Sequence, residues 1–280
     1  MKEEKLKGSM IEGYERWLVE EEKSRATVEK YVRSVSHFVA QNEGRKIDKA
    51  LVMEYKAELG KTYAATSANA ILAAVNGFLR YWGLSHCCVK PYRVQKSLYC
   101  PEEKELSRAE YVRLVRATKE KRSERLALLL ESLCATGIRV SELPYITVEA
   151  AQRGEAVVTC KGKTRTVFVP KALQKKLLRY AQKRKLSSGP VFVTRTGKAV
   201  NRTNIWREMK GLCQRAQVSP SKVFPHSLRH LFARTFYSVD HDVAKLADIL
   251  GHSNMNTTRL YIISTGAEHR RKMETLRLVI

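Results

Sequence analysis

The sequence predicts a mainly α-helical chain in two parts, with one small antiparallel sheet in the second part. Three observations lead there. Apolar residues recur at helical spacing through residues 9 to 83. The periodicity then breaks over LSHCCVKPYRVQKSLYCPEE, which holds two prolines and short polar runs. Beyond it, helical patterning is interrupted by one alternating, Val- and Thr-rich stretch, EAVVTCKGKTRTVFVP. These breaks place domains at residues 1–85 and 104–280, with a linker over 86–103.

The first part reads as four helices. Ser9 starts the first, with Ile11, Tyr14, Trp17 and Leu18 at helical spacing. Ser24 starts the second, whose stripe is Val28, Tyr31, Val35 and Phe38. Asp48 caps the third and Gly60 ends it, and SANAILAAVNGFLRYWG supplies the fourth. In the second part SRAE, from Ser107, is a capping box, in which a serine and a glutamate three apart satisfy each other's amides. LALLLESLCATG follows as the apolar helix of the second core, and Gly137 stands where it stops. Pro144, soon after, predicts a helix that ends early. EAVVTCKGKTRTVFVP is a hairpin with KGK in its middle; from Lys171 helices return, with VFVTR as a further short strand.

With 280 residues, 44% hydrophobic and 29% charged, the chain can bury a core in each part. The opening MKEEKLKG has no apolar signal region, and no run of about 18 apolar residues occurs, so a cytoplasmic protein that does not engage a membrane is expected. The six cysteines form no CxxC pair and read as reduced thiols, Cys134 and Cys160 as small core residues. His86, Cys87, Cys88 and Cys100 fit no common zinc spacing.

Charge is the first functional clue. The chain carries 52 basic and 28 acidic residues, a net +24. Residues 1 to 100 hold 17 basic and 12 acidic residues, so most of the excess lies later in the chain. Between Glu155 and Glu208 no acidic residue interrupts 14 Lys and Arg. A solvated face normally mixes signs, and so long a one-signed segment suggests nucleic acid as partner. The basic residues spread over strands, turns and helices, which disfavours a membrane-surface helix.

Four stretches carry candidate chemistry: ATGIRVSEL with Arg139, CKGKTR with Lys161 and Lys163, PHSLRHLFAR with His226, Arg229 and His230, and LGHSNMNTTRLYI with His252 and Tyr261. Taken singly, each has a plain structural account: a surface His and Arg on a helix, or a tyrosine burying its ring. His226 and His230 share a helix face, but Ser227 stands where a zinc protease motif needs Glu, and Arg229 would crowd a cation. Together the stretches offer two arginines, a lysine, two histidines and a tyrosine, the kit for phosphoryl transfer through a covalent intermediate without a metal. Arginines grip phosphate oxygens and the charge that builds on them. A tyrosine hydroxyl attacks if a base takes its proton, and a positioned acid protonates the leaving sugar oxygen.

The order Arg, hairpin Lys, HxxR, His in an LGH turn, then Tyr resembles that of the tyrosine recombinases, the phage integrase family. In motif terms the resemblance covers residues 107 to 265, and the four helices before it look like that family's SAM-like, DNA-clamping domain. It implies that Tyr261 attacks the scissile phosphodiester, becomes linked to the 3′ phosphate and frees a 5′ hydroxyl. Arg139 and Arg229 would hold the phosphate, Lys161 protonate the leaving oxygen, His226 assist proton transfer and His252 bond a phosphate oxygen. Glu142 would orient these side chains, or simply cap its helix. The family pattern G-K-G-x-K selects Lys161; Cys160 replaces the usual glycine, and Lys163 stays as the alternative. No metal and no cofactor is implied. The partners implied are double-stranded DNA with two recombination sites, three further copies of the chain in a tetramer formed on that DNA from free monomers, and a helper or excision protein.

The expected activity is site-specific integration or excision, in a simple two-domain form serving a mobile element. A type IB topoisomerase would use a similar pocket, and a catalytically silent DNA-binding protein would keep only the basic face. The last stretch, AEHRRKMETLRLVI, places Met273, Leu276 and Ile280 on one apolar stripe. Such a stripe docks either on its own domain or, as the resemblance favours, on a neighbouring protomer.

Overall fold

Four helices close around an aromatic core in the first of two units, Met1–Lys96. They are α1 (Met10–Glu20), α2 (Arg25–Gln41), α3 (Lys49–Thr62) and α4 (Ala65–Tyr81). The computed structural model describes residues 5–94, 105–120, 123–160, 162–194, 196–262 and 273–275, less the side chains of Cys160, Lys163 and Ile262. Ser24 accepts from the Thr27 amide at 3.4 Å and Asp48 from the Leu51 amide at 2.8 Å, caps worth about 1 kcal/mol each. Ser9 differs from expectation, since it precedes α1 in helical backbone and makes no side-chain cap bond. The stripes of α1 and α2 turn inward: Tyr14, Leu18, Val28, Val35 and Phe38 are buried with Leu72, Val75, Phe78 and Leu79 of α4.

α3 runs through Gly60 rather than ending there. The glycine serves a close approach instead: a Cβ at this position would overlap the hydroxyl of Tyr92, which donates to the Lys56 carbonyl at 2.6 Å. Residues 88–94, where the sequence suggested linker, pack on this unit. The Asn76 side chain donates to the Val89 carbonyl at 2.9 Å and accepts from its amide at 3.1 Å, and Asn69 holds Tyr92 in the same way.

The second unit, Ser97–Ile280, contains α5 (Arg108–Glu120), α6 (Glu124–Thr136), α7 (Val148–Arg153), β1 (Glu155–Cys160), β2 (Lys163–Phe168), α8 (Lys171–Lys183), α9 (Arg202–Lys210), α10 (Cys213–Ala216), α11 (Pro225–Asp240), α12 (Val243–Leu250) and α13 (Met255–Ile262). The Ser107 box forms: its amide reaches the Glu110 carboxylate at 2.8 Å, and the Glu110 amide reaches Ser107 Oγ at 3.1 Å. α6 is the core helix, with Leu126, Leu128, Leu129, Leu130 and Leu133 buried between α5, α8 and α11. It stops at Gly137 in left-handed backbone. The segment Val140–Tyr145, holding Pro144, is a short 3-10 helix.

β1 and β2 pair antiparallel, from Glu155 opposite Phe168 to Cys160 opposite Lys163. Ala156, Val158 and Val167 point inward and are buried, while Val157 and Phe168 face out. The described part of VFVTR, residues 191–194, is not a strand and makes only a single bridge, Val193 to Ala199. The chain turns back on itself there, with Thr194 donating to Lys198 and Gly197 to Thr194, so no neighbouring strand is reached. Cys134 packs on the core, and the side chain of Cys160 lies outside the described residues. Among the described residues no helix is long and apolar enough to cross a membrane.

Candidate active site

Three elements of the second unit present the candidate side chains. Pro225 opens α11, where its fixed φ suits the first turn, and the i, i+3, i+4 spacing puts His226, Arg229 and His230 on one face. Asp242 caps α12 through the Ala244 and Lys245 amides at 2.8 and 3.0 Å. α12 ends at Gly251 with φ +64°, and the turn after it delivers His252. No other residue fits at 251: besides the left-handed backbone, a Cβ would overlap the side chain of Arg165. α13 then carries Tyr261 back against α11.

Arginines converge on the end of α12. Arg165 donates to the Ile249 carbonyl at 2.7 Å, Arg229 to the Leu250 carbonyl at 2.5 Å and Arg139 to the Gly251 carbonyl at 3.3 Å. The last carbonyls of a helix have no partner within it and carry partial negative charge, so cations are stabilised there. Arg229 is 0% exposed and also donates to the Gly137 carbonyl, at the end of α6. Burial, then the nearby Arg139, pushes its pKa down to about 10, still charged at neutral pH. The Nε atoms of Arg229 and Arg165 are buried without a partner.

Glu142 organises two of these cations. Its carboxylate, 2% exposed, accepts from the Arg139 amide at 2.9 Å, from the Arg139 guanidinium at 2.8 Å and from Arg165 at 2.7 Å. Burial alone would raise its pKa; the Arg139 amide and guanidinium, with Arg165, more than reverse this and hold it below the usual carboxylate range. Glu142 therefore both caps and orients. Arg139 keeps 31% of its side chain exposed, so it is the most accessible guanidinium of the three.

Around Tyr261 stand three imidazoles. Its hydroxyl lies 2.7 Å from His226 Nε2, its ring stacks on His230 at 4.1 Å and 14°, and His252 lies 5.0 Å from it, centroid to centroid. Arg229 has only donors, so His252 Nε2, at 3.1 Å from it, accepts; Nδ1 then holds the proton and donates to the buried Thr258 Oγ1 at 2.9 Å. Burial first and Arg229 second lower the pKa of His252 to about 4; burial and His226 do the same for His230. His226 is lowered too, by burial and then by Arg229, Arg139 and Arg202. At neutral pH all three rings are uncharged, and His226 is placed to take the phenolic proton.

The structure thus gathers Arg139, His226, Arg229, His252 and Tyr261 in one place. Lys161 lies outside the described residues; Lys163 begins β2, and its side chain is not described. Sequence reasoning assigned His230 no role and missed Arg165 and Thr258. Arg165 left a trace, because it falls where strand alternation calls for an inward apolar residue.

Residues 104–268 match the family model described as Phage integrase family, and residues 11–82 match Phage integrase, N-terminal SAM-like domain. The chain belongs to the phage integrase family. Tyrosine recombinase XerA of Pyrococcus furiosus is 28% identical over 100% of this chain and 98% of its own length. Tyrosine recombinase XerA of Thermococcus kodakarensis is 30% identical over 95% and 94%. Among solved structures, a lambda integrase tetramer bound to a Holliday junction shares the fold at TM-score 0.73, with 16% identity over 90% of this chain and 76% of that one. This tyrosine recombinase is accordingly a DNA strand-transferring enzyme, with the SAM-like unit preceding the unit that holds the arginines and Tyr261.

Proposed function

We propose that this recombinase cuts and rejoins double-stranded DNA at specific sites through a covalent 3′-phosphotyrosyl bond at Tyr261. The observation that carries the proposal is the Tyr261 hydroxyl 2.7 Å from an uncharged His226, beside Arg139, Arg229 and His252. The phenolic oxygen attacks phosphorus while its proton passes to His226. Arg139 meets the phosphate first, being the more exposed, and Arg229 joins as it gives up carbonyl partners. His252 turns a nitrogen to a phosphate oxygen. The bond to the 5′ oxygen breaks, and a hairpin lysine, Lys161 by the family pattern or else Lys163, supplies the proton. Reversal with a different 5′ hydroxyl joins new strands, so no cofactor and no metal enters the scheme.

The one-signed stretch between Glu155 and Glu208 supports DNA as substrate, as does the solved lambda integrase on a Holliday junction. In this scheme residues 1–85 clamp the duplex, 86–103 link, and 104–280 catalyse. Monomers assemble as a tetramer on two sites, with the apolar stripe of residues 267–280 docking on a neighbour; of that tail only 273–275 fall within the described residues. Integration or excision of a mobile element, aided by a helper protein in the cytoplasm, is the setting we favour. The product tests it: two sites on separate plasmids should be joined by the wild type and left separate by Tyr261→Phe. Relaxation of a single supercoiled plasmid with no joining would make the protein a type IB topoisomerase instead.

A further inference from the structure

Arg165 sits on the inward face of β2, opposite buried Val158 and two residues before buried Val167. An arginine in that row gives up hydration that a valine would not, yet its side chain is only 13% exposed. Among the described residues it is also the one cation of the cluster carried by the hairpin. From there it reaches two other elements. One Nη donates to Glu142 at 2.7 Å, the other to the Ile249 carbonyl at 2.7 Å, and its stem lies over Gly251, beside His252. Glu142 in turn holds Arg139 by amide and guanidinium. A continuous set of bonds therefore runs from β2 to Arg139 and to the end of α12. The tie is made close to the hairpin's tip, since Lys163 stands two residues before Arg165, about 7 Å along a strand.

A stabilising role does not account for the arginine. Well-packed apolar residues in place of a buried ion pair are often neutral or better for stability. A two-stranded hairpin is marginal by itself, however, and the position of its tip depends on what fastens it. We propose that Arg165 is a positioning residue: it fastens the tip of the β1–β2 hairpin to the Glu142–Arg139 pair and the α12 terminus, and so holds the hairpin lysine in register with the phosphate-binding arginines. The proposal rests on the reading that a hairpin lysine protonates the leaving 5′ oxygen.

The test uses the full chain and a nicked suicide DNA substrate in two forms. One has the ordinary 5′ oxygen; the other has a 5′-bridging sulfur, which leaves as thiolate without needing a proton. Arg165→Ala should slow cleavage of the oxygen substrate on the order of a hundredfold, the lower range of general-acid contributions. It should cleave the sulfur substrate within about tenfold of wild type, with DNA affinity little changed, and Arg165→Lys should fall between. Lys161→Ala and Lys163→Ala run alongside. Should Arg165→Ala be equally slow on both substrates while one lysine variant is rescued by sulfur, Arg165 serves the phosphate pocket and the proposal is wrong. If neither lysine variant is rescued, the general-acid reading itself fails and takes the proposal with it. Full activity of Arg165→Ala on oxygen also overturns the inference. If the alanine variant does not fold, Arg165→Met keeps the apolar stem and answers the same comparison.

Discussion

Buried polar groups are handled differently in the two units. In the first, Asn76 matches both ends of its amide to the Val89 backbone, and Asn42 donates to the Phe38 carbonyl while accepting from Arg45. In the second, the Nε atoms of Arg229 and Arg165 are buried without a partner, and two guanidinium groups, those of Arg139 and Arg165, share one carboxylate, Glu142. Amides completed by backbone hold a fold together and ask for nothing more. Excess positive charge held out of water is costly unless an anion completes it. The difference separates a part of the molecule built for packing from a part built for a ligand.

The largest effect expected from this contrast is on binding. If the basic stretch between Glu155 and Glu208 faces DNA, affinity should fall on the order of a thousandfold between 50 and 200 mM salt, for about six phosphates neutralised. A nearly flat response in a filter-binding titration would break the contrast in charge. Next in size is a paired substitution. Arg229→Met should reduce adduct formation about 100- to 1000-fold, as for loss of one preorganised donor to a developing anion, measured per folded molecule. Asn76→Ala should cost about 1–3 kcal/mol of stability by leaving backbone groups unpaired, with cleavage per folded molecule unchanged. The reverse pattern in melting and cleavage assays would remove the distinction.

Smaller effects sharpen it. His230→Ala removes the ring stacked on Tyr261; an aromatic pair is worth about 0.5–1.5 kcal/mol, so cleavage should fall roughly three- to tenfold, and His230→Phe should recover most of it. Acid should loosen the second unit. His230 and His252 are lowered from 6.5 to about 4 when folded. Between those values the unfolded chain binds protons that the folded one does not, so stability is full above about pH 6.5 and declines as pH falls toward 4. Hydrogen-exchange protection around α11 and the 252 turn, taken relative to the intrinsic exchange rate at each pH, should fall over that window; protection that rises on acidification would contradict the assigned burial.

Most of the helices were legible because stripes such as Val28, Val35 and Phe38 must face a core, and Ser24, Asp48 and Ser107 cap by local chemistry alone. Gly60 misled because its constraint comes from Tyr92, remote in sequence. VFVTR misled because β-rich composition does not provide a neighbouring strand. At the site, His226, Arg229, His252 and Tyr261 stood out as chemistry-bearing types in a telling order. Arg165 did not, since its meaning depends on strand register and on two carbonyl ends that only folding brings to it. Glu142 was legible as a helper to Arg139, but its second partner was not.

The central claim is that Tyr261 is the nucleophile. Trapping the protein on a suicide substrate, digesting the adduct with trypsin and mapping the DNA-linked peptide by mass spectrometry tests it directly. The account predicts a 3′-phosphotyrosyl linkage within the peptide that follows Arg259, at Tyr261, and no adduct from Tyr261→Phe. A linkage at another residue, or an adduct that survives in the phenylalanine variant, would contradict it.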